Sequence, residues 1–365
     1  MKFLDLFAGI GGFRLGMEAA GHECVGFCEI DKFARMSYKA IHDTKGEIEL
    51  HDITAVSDDT VRGIGRVDVI CGGFPCQAFS IAGKRQGFED TRGTLFFEIA
   101  RFASILRPRL LFLENVKGLL NHDGGDTFET ILSALDELGY DAEWQVLNSK
   151  NFGVPQNRER VFIIGHLRGA GTRGVFPFRG ESSKFDSEQP EIDIVGNTKN
   201  PNGSAHGTSS VVYSSEGLSG TLCARDYKEP KQVAIPVLTS ERKIIQRGHG
   251  YNKGGEHDIA PTITSNSYPE NNLVKIVDFY NKIVKDEVGT LTSSGGGSTV
   301  RTGSFGVTDG YRIRKLTPRE CWRLQGFPDW AFDRAKEVNS NSQLYKQAGN
   351  SVTVNVIEAI ARELG

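Results

Sequence analysis

Residues 3–30 read FLDLFAGIGGFRLGMEAAGHECVGFCEI, and the punctuation of this stretch decides the fold. FLDLF (3–7) is a short apolar run of the kind that forms a buried strand. The glycines of AGIGG end it, and FRLGMEAAG (13–21) follows with helical spacing and a closing glycine. CVGFCEI (24–30) is then a second apolar run. The unit repeats downstream. DKFARMSYKAIH (31–42) predicts a helix, and EIELHDI (47–53) and VDVICG (67–72) predict strands. Helices are expected around 94–106 and 126–138, with LLFLENV (110–116) as the strand between them. EWQVLN (143–148) and RVFIIGH (160–166) read as a closing hairpin. Such alternation argues for an α/β fold with a mostly parallel sheet and helices on both faces. Ligands in these folds bind beyond the carboxyl ends of the strands. Gly9–Gly12, Glu29, Asp52 and Cys76 each follow a different predicted strand and so converge on that edge.

The chain has 365 residues, which favours two domains. No apolar run approaches the roughly 20 residues of a membrane span. The N-terminus enters a strand-like segment directly and shows no signal peptide. Cysteines at 24, 28, 71, 76, 223 and 321 form no disulfide framework, and Cys24 and Cys28 have no second ligand pair nearby. No metal site and a reducing cytoplasm are therefore expected. Net charge is −3, but residues 1–150 carry −7 and residues 151–330 carry +4, so the second stretch suits a polyanion. Solvated faces without a partner would give the same asymmetry.

From about residue 170 helical periodicity fades, and Gly, Ser, Asn and Pro separate short β-like pieces. GLSGTLCARDYKEP (217–230), DIAPTITSNSYPEN (258–271) and DEVGTLTSSGGGST (286–299) form a weak repeat, each with a Thr before Leu or Ile, at Thr221, Thr262 and Thr290. Their uneven spacing excludes a solenoid. Helical order returns at LTPRECWRLQGF (316–327) and NSVTVNVIEAIAREL (350–364).

Each candidate site has a plain reading beside a chemical one. The glycine turn in DLFAGIGGF (5–13) lets a ligand approach backbone at a helix N-terminus, and it lacks the lysine of a triphosphate loop. Glu29 stands where an acid accepts ribose hydroxyls, and Asp52 where one meets an adenine amino group. A tight turn with two surface acids is the alternative. Cys76 in GFPCQAFSIAGKR (73–85) is either an inert thiol or a nucleophile presented by a loop. Glu114 in ENV (114–116) is a loop cap or a proton donor to a reacting ring. QNRER (156–160) places Arg158 and Arg160 on one side of an extended segment, as a solvated face or as a fork for phosphate or carbonyl oxygens.

Taken together these stretches resemble the cytosine-C5 DNA methyltransferases, closely the compact bacterial restriction–modification type. The likeness runs in order through DLFAGIGGF, CEIDKFA, HDI, GFPCQAFSIAGKRQGFEDTRGTLFFEIAR, LENVKG, LNSKNFGVPQNRERVFIIG, RKLTPRECWRLQGFP and QAGNSVTVNVI. Single motifs arise by accident; eight in one order do not. The resemblance implies a Rossmann-like methyltransferase domain over 1–170 and 312–365 and a smaller, loop-rich β target-recognition domain over 171–311. Phe7, Gly9 and Gly11 would then hold S-adenosylmethionine, Glu29 its ribose and Asp52 its adenine, with Leu95 packing nearby and Asn350 and Ser351 completing the pocket. The C-terminal helix would pack back beside the first strand. Cys76 would be the nucleophile, Glu114 the group on cytosine N3, and Arg160 with Arg158 the oxygen and phosphate contacts.

The implied chemistry is covalent catalysis on a base flipped out of double-stranded DNA, since cytosine C5 is too weak a nucleophile by itself. The loop 79–93, with Lys84, Arg85 and Arg92, would close over that base. Three Thr-Leu/Ile elements are similar to recognition segments of multispecific phage relatives, although repeated strands in one domain explain them equally well. One branch of the family methylates tRNA with the same cysteine and glutamate, and the long 170–310 segment favours a duplex reader instead. A silent DNA- or cofactor-binding relative would not need Cys76, Glu114 and Arg160 together. A nicotinamide oxidoreductase would leave the PCQ loop and QNRER without purpose. The expected protein is a monomer acting apart from any cognate restriction endonuclease.

Overall fold

The structure is a computed structural model describing residues 1–75, 95–177, 191–197, 211–236 and 311–365, with short strands at 244–246, 255–257, 272–273, 276–278, 283–285 and 305–307. Its contacts divide the chain into two compact units. The first is Met1–Gln189, Ser219–Lys228 and Thr317–Gly365; the second is Pro190–Leu218 and Glu229–Leu316.

The first unit is built on a seven-stranded sheet of β1 (Lys2–Leu6), β2 (Glu23–Cys28), β3 (Ile48–Leu50), β4 (Val69–Gly73), β5 (Leu110–Val116), β6 (Tyr140–Asn148) and β7 (Glu159–Leu167). Their spatial order is β3-β2-β1-β4-β5-β7-β6. β1 through β5 pair in parallel, while β7 runs antiparallel to β5 and to β6. This is the mostly parallel sheet, closed by a hairpin, that the alternation of apolar runs predicts. Strand order reverses between β1 and β4, which is where an open α/β sheet leaves a crevice.

Side chains alternate across the sheet and seed two cores. Leu4, Leu6 and Ile70 face α3 (Asp58–Gly63), α4 (Leu95–Leu106) and α5 (Asp126–Glu137) through Val61, Phe96, Phe102 and Ile131. Phe3, Val69 and Phe112 face the opposite way, onto Phe13 and Met17 of α1 (Gly12–Ala19) and Ile357 and Ile360 of α9 (Val354–Ala361). The C-terminal helix thus packs against α1 under the first strand. A Cβ at Gly16 would lie 2.7 Å from the backbone nitrogen of Glu358, so this crossing requires glycine.

Gly72 carries the tightest approach inside the sheet. A Cβ there would lie 2.1 Å from the carbonyl oxygen of Leu6, in backbone that cannot step aside. Gly72→Ala is expected to force β4 off β1 and to cost at least the roughly 3 kcal/mol upper end of ordinary overpacking. A denaturant midpoint equal to that of the wild type would contradict this.

Among the described residues, three further helices follow α5 before α9: α6 (Pro318–Leu324), α7 (Asp329–Val338) and α8 (Asn341–Asn350). α6 starts on a capping box, with Thr317 and Glu320 exchanging side-chain and backbone hydrogen bonds and Pro318 in the first turn. The helix expected over 350–364 is shorter, because Asn350 ends α8 and residues 351–353 are extended before α9 begins at Val354.

The second unit is built of β pieces. Ile194–Asn197, Val211–Ser214, Gln232–Pro236 and Tyr311–Lys315 form a four-stranded sheet, and the short strands pair into two three-stranded ones. Ser219–Lys228 belongs to the first unit, although its sequence lies inside the stretch expected for the second domain.

Candidate active site

A cavity of about 410 Å³ opens at the carboxyl ends of β1, β2, β4 and β5, beside the reversal of strand order. Its walls come from Phe7 and Gly9 after β1, Glu29 after β2, Gly73–Pro75 at the end of β4 and Glu114–Val116 at the end of β5. Arg158, Arg160 and Gly349–Ser351 complete it. That volume suits a ligand of cofactor size.

The floor is the glycine turn. Phe7 has φ 56°, Gly9 φ 57° and Gly11 φ 85°. A phenylalanine in the left-handed region is strained, and such strain persists where surrounding structure over-determines it. Glu29 locks the turn from the next strand. Its carboxylate accepts from Gly9 N at 2.8 Å and from Asp31 N at 2.7 Å while it faces the cavity. Burial raises its pKa, against the pull of those two amides.

Glu114 stands at the far wall. It is buried, and Arg160 Nε lies 2.9 Å from its Oε1. The register puts Gly73 beside Glu114 and Arg160 beside Val116, so Arg160 reaches diagonally across the hairpin. A side chain on Gly73 would meet Glu114 Oε2 at 2.9 Å, so the last residue of β4 must be glycine for the carboxyl to lie there. Burial raises the pKa of Glu114, and the neighbouring Arg160 and Arg158 only partly offset it.

Other predicted residues fall in varied places. Asn350 and Ser351 line the cavity. Gly11 is conformationally required, but what it makes room for is His42: a Cβ there would sit 2.1 Å from His42 Nε2. Burial drives the pKa of that imidazole down to about 3. Asp52 caps the turn Ile53–Ala55 and accepts from Thr54 N at 3.0 Å, and it is not a lining residue. Leu95 begins α4 and packs with Phe7 on the same apolar cluster. Arg158 is buried and donates to carbonyl oxygens. Thr221 spends its hydroxyl on Asn157 O at 2.7 Å, inside the first unit. Cys76, Lys84, Arg85, Arg92, Thr262 and Thr290 lie outside the described residues.

Asn115 and Lys346 do not stand out in the sequence. Asn115 Nδ2 donates to Phe74 O at 2.8 Å, and Val116 N donates back to its Oδ1 at 2.8 Å. That pair fixes the chain two residues before Cys76. Lys346, on α8, bonds Asp31 Oδ2 at 2.7 Å. Asp31 also caps α2 (Lys32–Ile41), so the ion pair ties two helices together at the cavity wall.

The family model for C-5 cytosine-specific DNA methylases matches residues 1–365. The chain belongs to this family. It is 35% identical over 368 residues to the type II methyltransferase M.HhaI of Haemophilus parahaemolyticus, covering 100% of this chain and 94% of that one. It is 40% identical over 370 residues to the type II methyltransferase M.HpaII of Haemophilus parainfluenzae, covering 99% and 88%. The crystal structure of S. pombe Dnmt2 methyltransferase shares the fold, with a TM-score of 0.60 at 18% identity over 100% of this chain and 98% of that one. The C5-methylase membership makes the protein a DNA (cytosine-5-)-methyltransferase with S-adenosylmethionine as methyl donor.

The cavity fits that cofactor. A strained, glycine-bearing turn at the switch point leaves backbone open to a ligand, and Glu29 offers an acceptor for ribose hydroxyls at the end of β2. Among the described residues no group of three His, Cys, Asp or Glu is placed to hold a metal ion. No helix among them is long and apolar enough to cross a membrane.

Proposed function

We propose that the wall formed by Phe7, Gly9, Glu29, Asn350 and Ser351 binds S-adenosylmethionine, with Gly11 shaping the turn and Asp52 and Leu95 at the adenine end. The opposite wall, Pro75, Glu114 and Arg160, receives a cytosine flipped from double-stranded DNA. Cys76, the residue after Pro75, is its nucleophile. One observation carries this reading: the buried Glu114 carboxyl lines the same cavity as Glu29 and as Pro75, the residue that precedes Cys76.

Bound S-adenosylmethionine supplies an electrophilic methyl group. The protein's own groups make C5 able to take it. The Cys76 thiolate adds to C6, and the Glu114 proton passes to N3, so the ring's electrons reach C5 as in an enamine. Arg160 holds the Glu114 carboxylate left behind and offers donors to the base oxygen and a neighbouring phosphate. Once C5 carries the methyl group, its proton passes to solvent, the thiolate leaves C6, and N3 returns its proton to Glu114, which restores the neutral aromatic ring and the enzyme's starting groups. Flipping costs a few kcal/mol, met by contacts to the duplex.

The second unit would read the target through Thr262 and Thr290, while Lys84, Arg85 and Arg92 contact DNA. This reading places the protein in a reducing cytoplasm. The same reading has the protein act as a monomer, apart from any cognate restriction endonuclease.

Bisulfite sequencing of an unmethylated, high-complexity DNA library, treated with the protein and S-adenosylmethionine, tests this. Protected cytosines in a fixed short context, absent with Cys76→Ser, are expected. Protection only in tRNA, or undiminished protection with Cys76→Ser, would overturn it.

A further inference from the structure

Arg158 is a buried cation for which the reaction above has no task. It is 3% exposed, and its hydrogen bonds go to carbonyls rather than to a carboxylate. Its NH1 donates to Leu222 O at 2.9 Å, and its NH2 to Ser351 O at 2.8 Å and Gly349 O at 3.3 Å. Its Nε is buried with no hydrogen-bond partner. Burying a charge against neutral dipoles is costly, so those dipoles are held in place in return. Burial, with Arg160 adding to it, lowers the pKa of Arg158 to about 9, which still leaves it charged at neutral pH.

The three carbonyls come from two stretches far apart in sequence. Residues 219–223 lie along the QNRER segment: Ser219 N donates to Pro155 O at 2.9 Å, and Asn157 N donates to Ser219 O at 3.0 Å. The Thr221 hydroxyl adds a bond to Asn157 O at 2.7 Å. The C-terminal end of α8, Gly349–Ser351, then presses directly on this strip. A Cβ at Gly349 would lie 2.3 Å from the carbonyl carbon of Cys223. That helix end is one wall of the cavity. The backbone contact and the guanidinium fork reinforce each other, and only a planar fork reaches both stretches at once.

We propose that Arg158 is a positioning residue for the cofactor: it locks the C-terminal end of α8, Gly349–Ser351, onto the strip 219–223, and it does not touch the substrate. This rests on the reading of the cavity as the cofactor site. The strip lies between two stretches of the second unit in the sequence.

The test is Arg158→Lys beside Thr221→Val, read by calorimetric titration with S-adenosylhomocysteine and by steady-state methylation, with circular dichroism melts as the fold check. Lysine keeps the charge and loses the fork. Its dissociation constant for S-adenosylhomocysteine is expected to rise about tenfold, the size of a lost charged hydrogen bond. KM for S-adenosylmethionine should rise by more than kcat falls. Thr221→Val, which loosens the same strip from its other side, should shift affinity in the same direction by less. Should Arg158→Lys fail to fold, Thr221→Val decides, since it removes one hydroxyl at a half-buried position. Wild-type cofactor affinity in the folded variants, or a fall in kcat with KM unchanged, would overturn the assignment. A wild-type protein that bound no S-adenosylhomocysteine would instead strike at the reading of the cavity itself.

Discussion

Glu114→Gln is expected to lower kcat by roughly 10²–10⁴-fold, the usual worth of a positioned general acid, without weakening the fold at neutral pH. Two measurements separate these effects: single-turnover methylation between pH 6 and 9, and thermal melts over the same range. Glutamine matches the carboxyl in shape and keeps an oxygen for Arg160 Nε, which lies 2.9 Å from Oε1 in the native pair. What it lacks is a proton to give. The stability side follows from the raised pKa. An acid whose folded pKa exceeds its unfolded value, here 4.5, stabilises the fold least when it is ionised. Its contribution is therefore lost as pH rises from the unfolded value through the folded one. Burial outweighs the attraction of Arg160 and Arg158, so at neutral and alkaline pH the uncharged glutamine variant should melt no lower than the wild type. In the wild type, activity should fall on the alkaline side as Glu114 gives up its proton, and the variant should show no such limb from this group. A kcat within threefold of the wild type would remove Glu114 from the chemistry.

Much of this wall was legible because strands buried on both faces write long apolar runs, and the residues that interrupt them stand out. Glu114 breaks LLFLENV near its end, Glu29 breaks CVGFCEI one residue before its end, and the glycines follow FLDLF; each interruption falls at or just after the carboxyl end of a strand in the structure. Less was legible where the constraint comes from far along the chain. Gly11 reads as an opening for a ligand, while the side chain that forbids a Cβ there is His42, on the turn after α2. Arg158 alternates with Glu159 as a strand residue should, and nothing local says that its fork turns inward to three carbonyls. α7 and α8 were not foreseen. Gln347 reaches Phe33 O and Ser37 Oγ on α2, and Lys346 reaches Asp31, so α8 is docked partly by polar groups that leave little apolar period. Thr221 matches the repeat around Thr262 and Thr290, yet its strip folds with the first unit, because pairing with 155–157 is a long-range choice.

Asp5→Asn is expected to flatten the pH dependence of stability between pH 5 and 8. Asp5 sits inside β1 with no exposed surface, among Tyr38, whose hydroxyl donates to Oδ2 at 3.4 Å, and Cys71, whose sulfur lies 4.0 Å from Oδ1. Burial pushes its pKa up to about 8, and the attraction of Arg14 does not cancel that. Arg14 is already engaged elsewhere, with Glu47 at 2.7 Å and Glu18 at 2.8 Å. Between the unfolded value of 3.8 and about 8, the unfolded chain has released a proton that the folded chain keeps. Wild-type stability should therefore decline with rising pH across this window, by up to about 1.4 kcal/mol per pH unit from this group. Above pH 8 the slope disappears, because both states are ionised. Asparagine cannot titrate, keeps an acceptor for Tyr38, and should overtake the wild type as pH rises. Urea titrations at pH 5, 6.5 and 8 measure the gap directly, and parallel profiles for the two proteins would show that Asp5 is ionised in the folded state. The position makes the result matter for the active site. Asp5 lies two residues before Phe7, on the strand that ends in the strained turn lining the cavity.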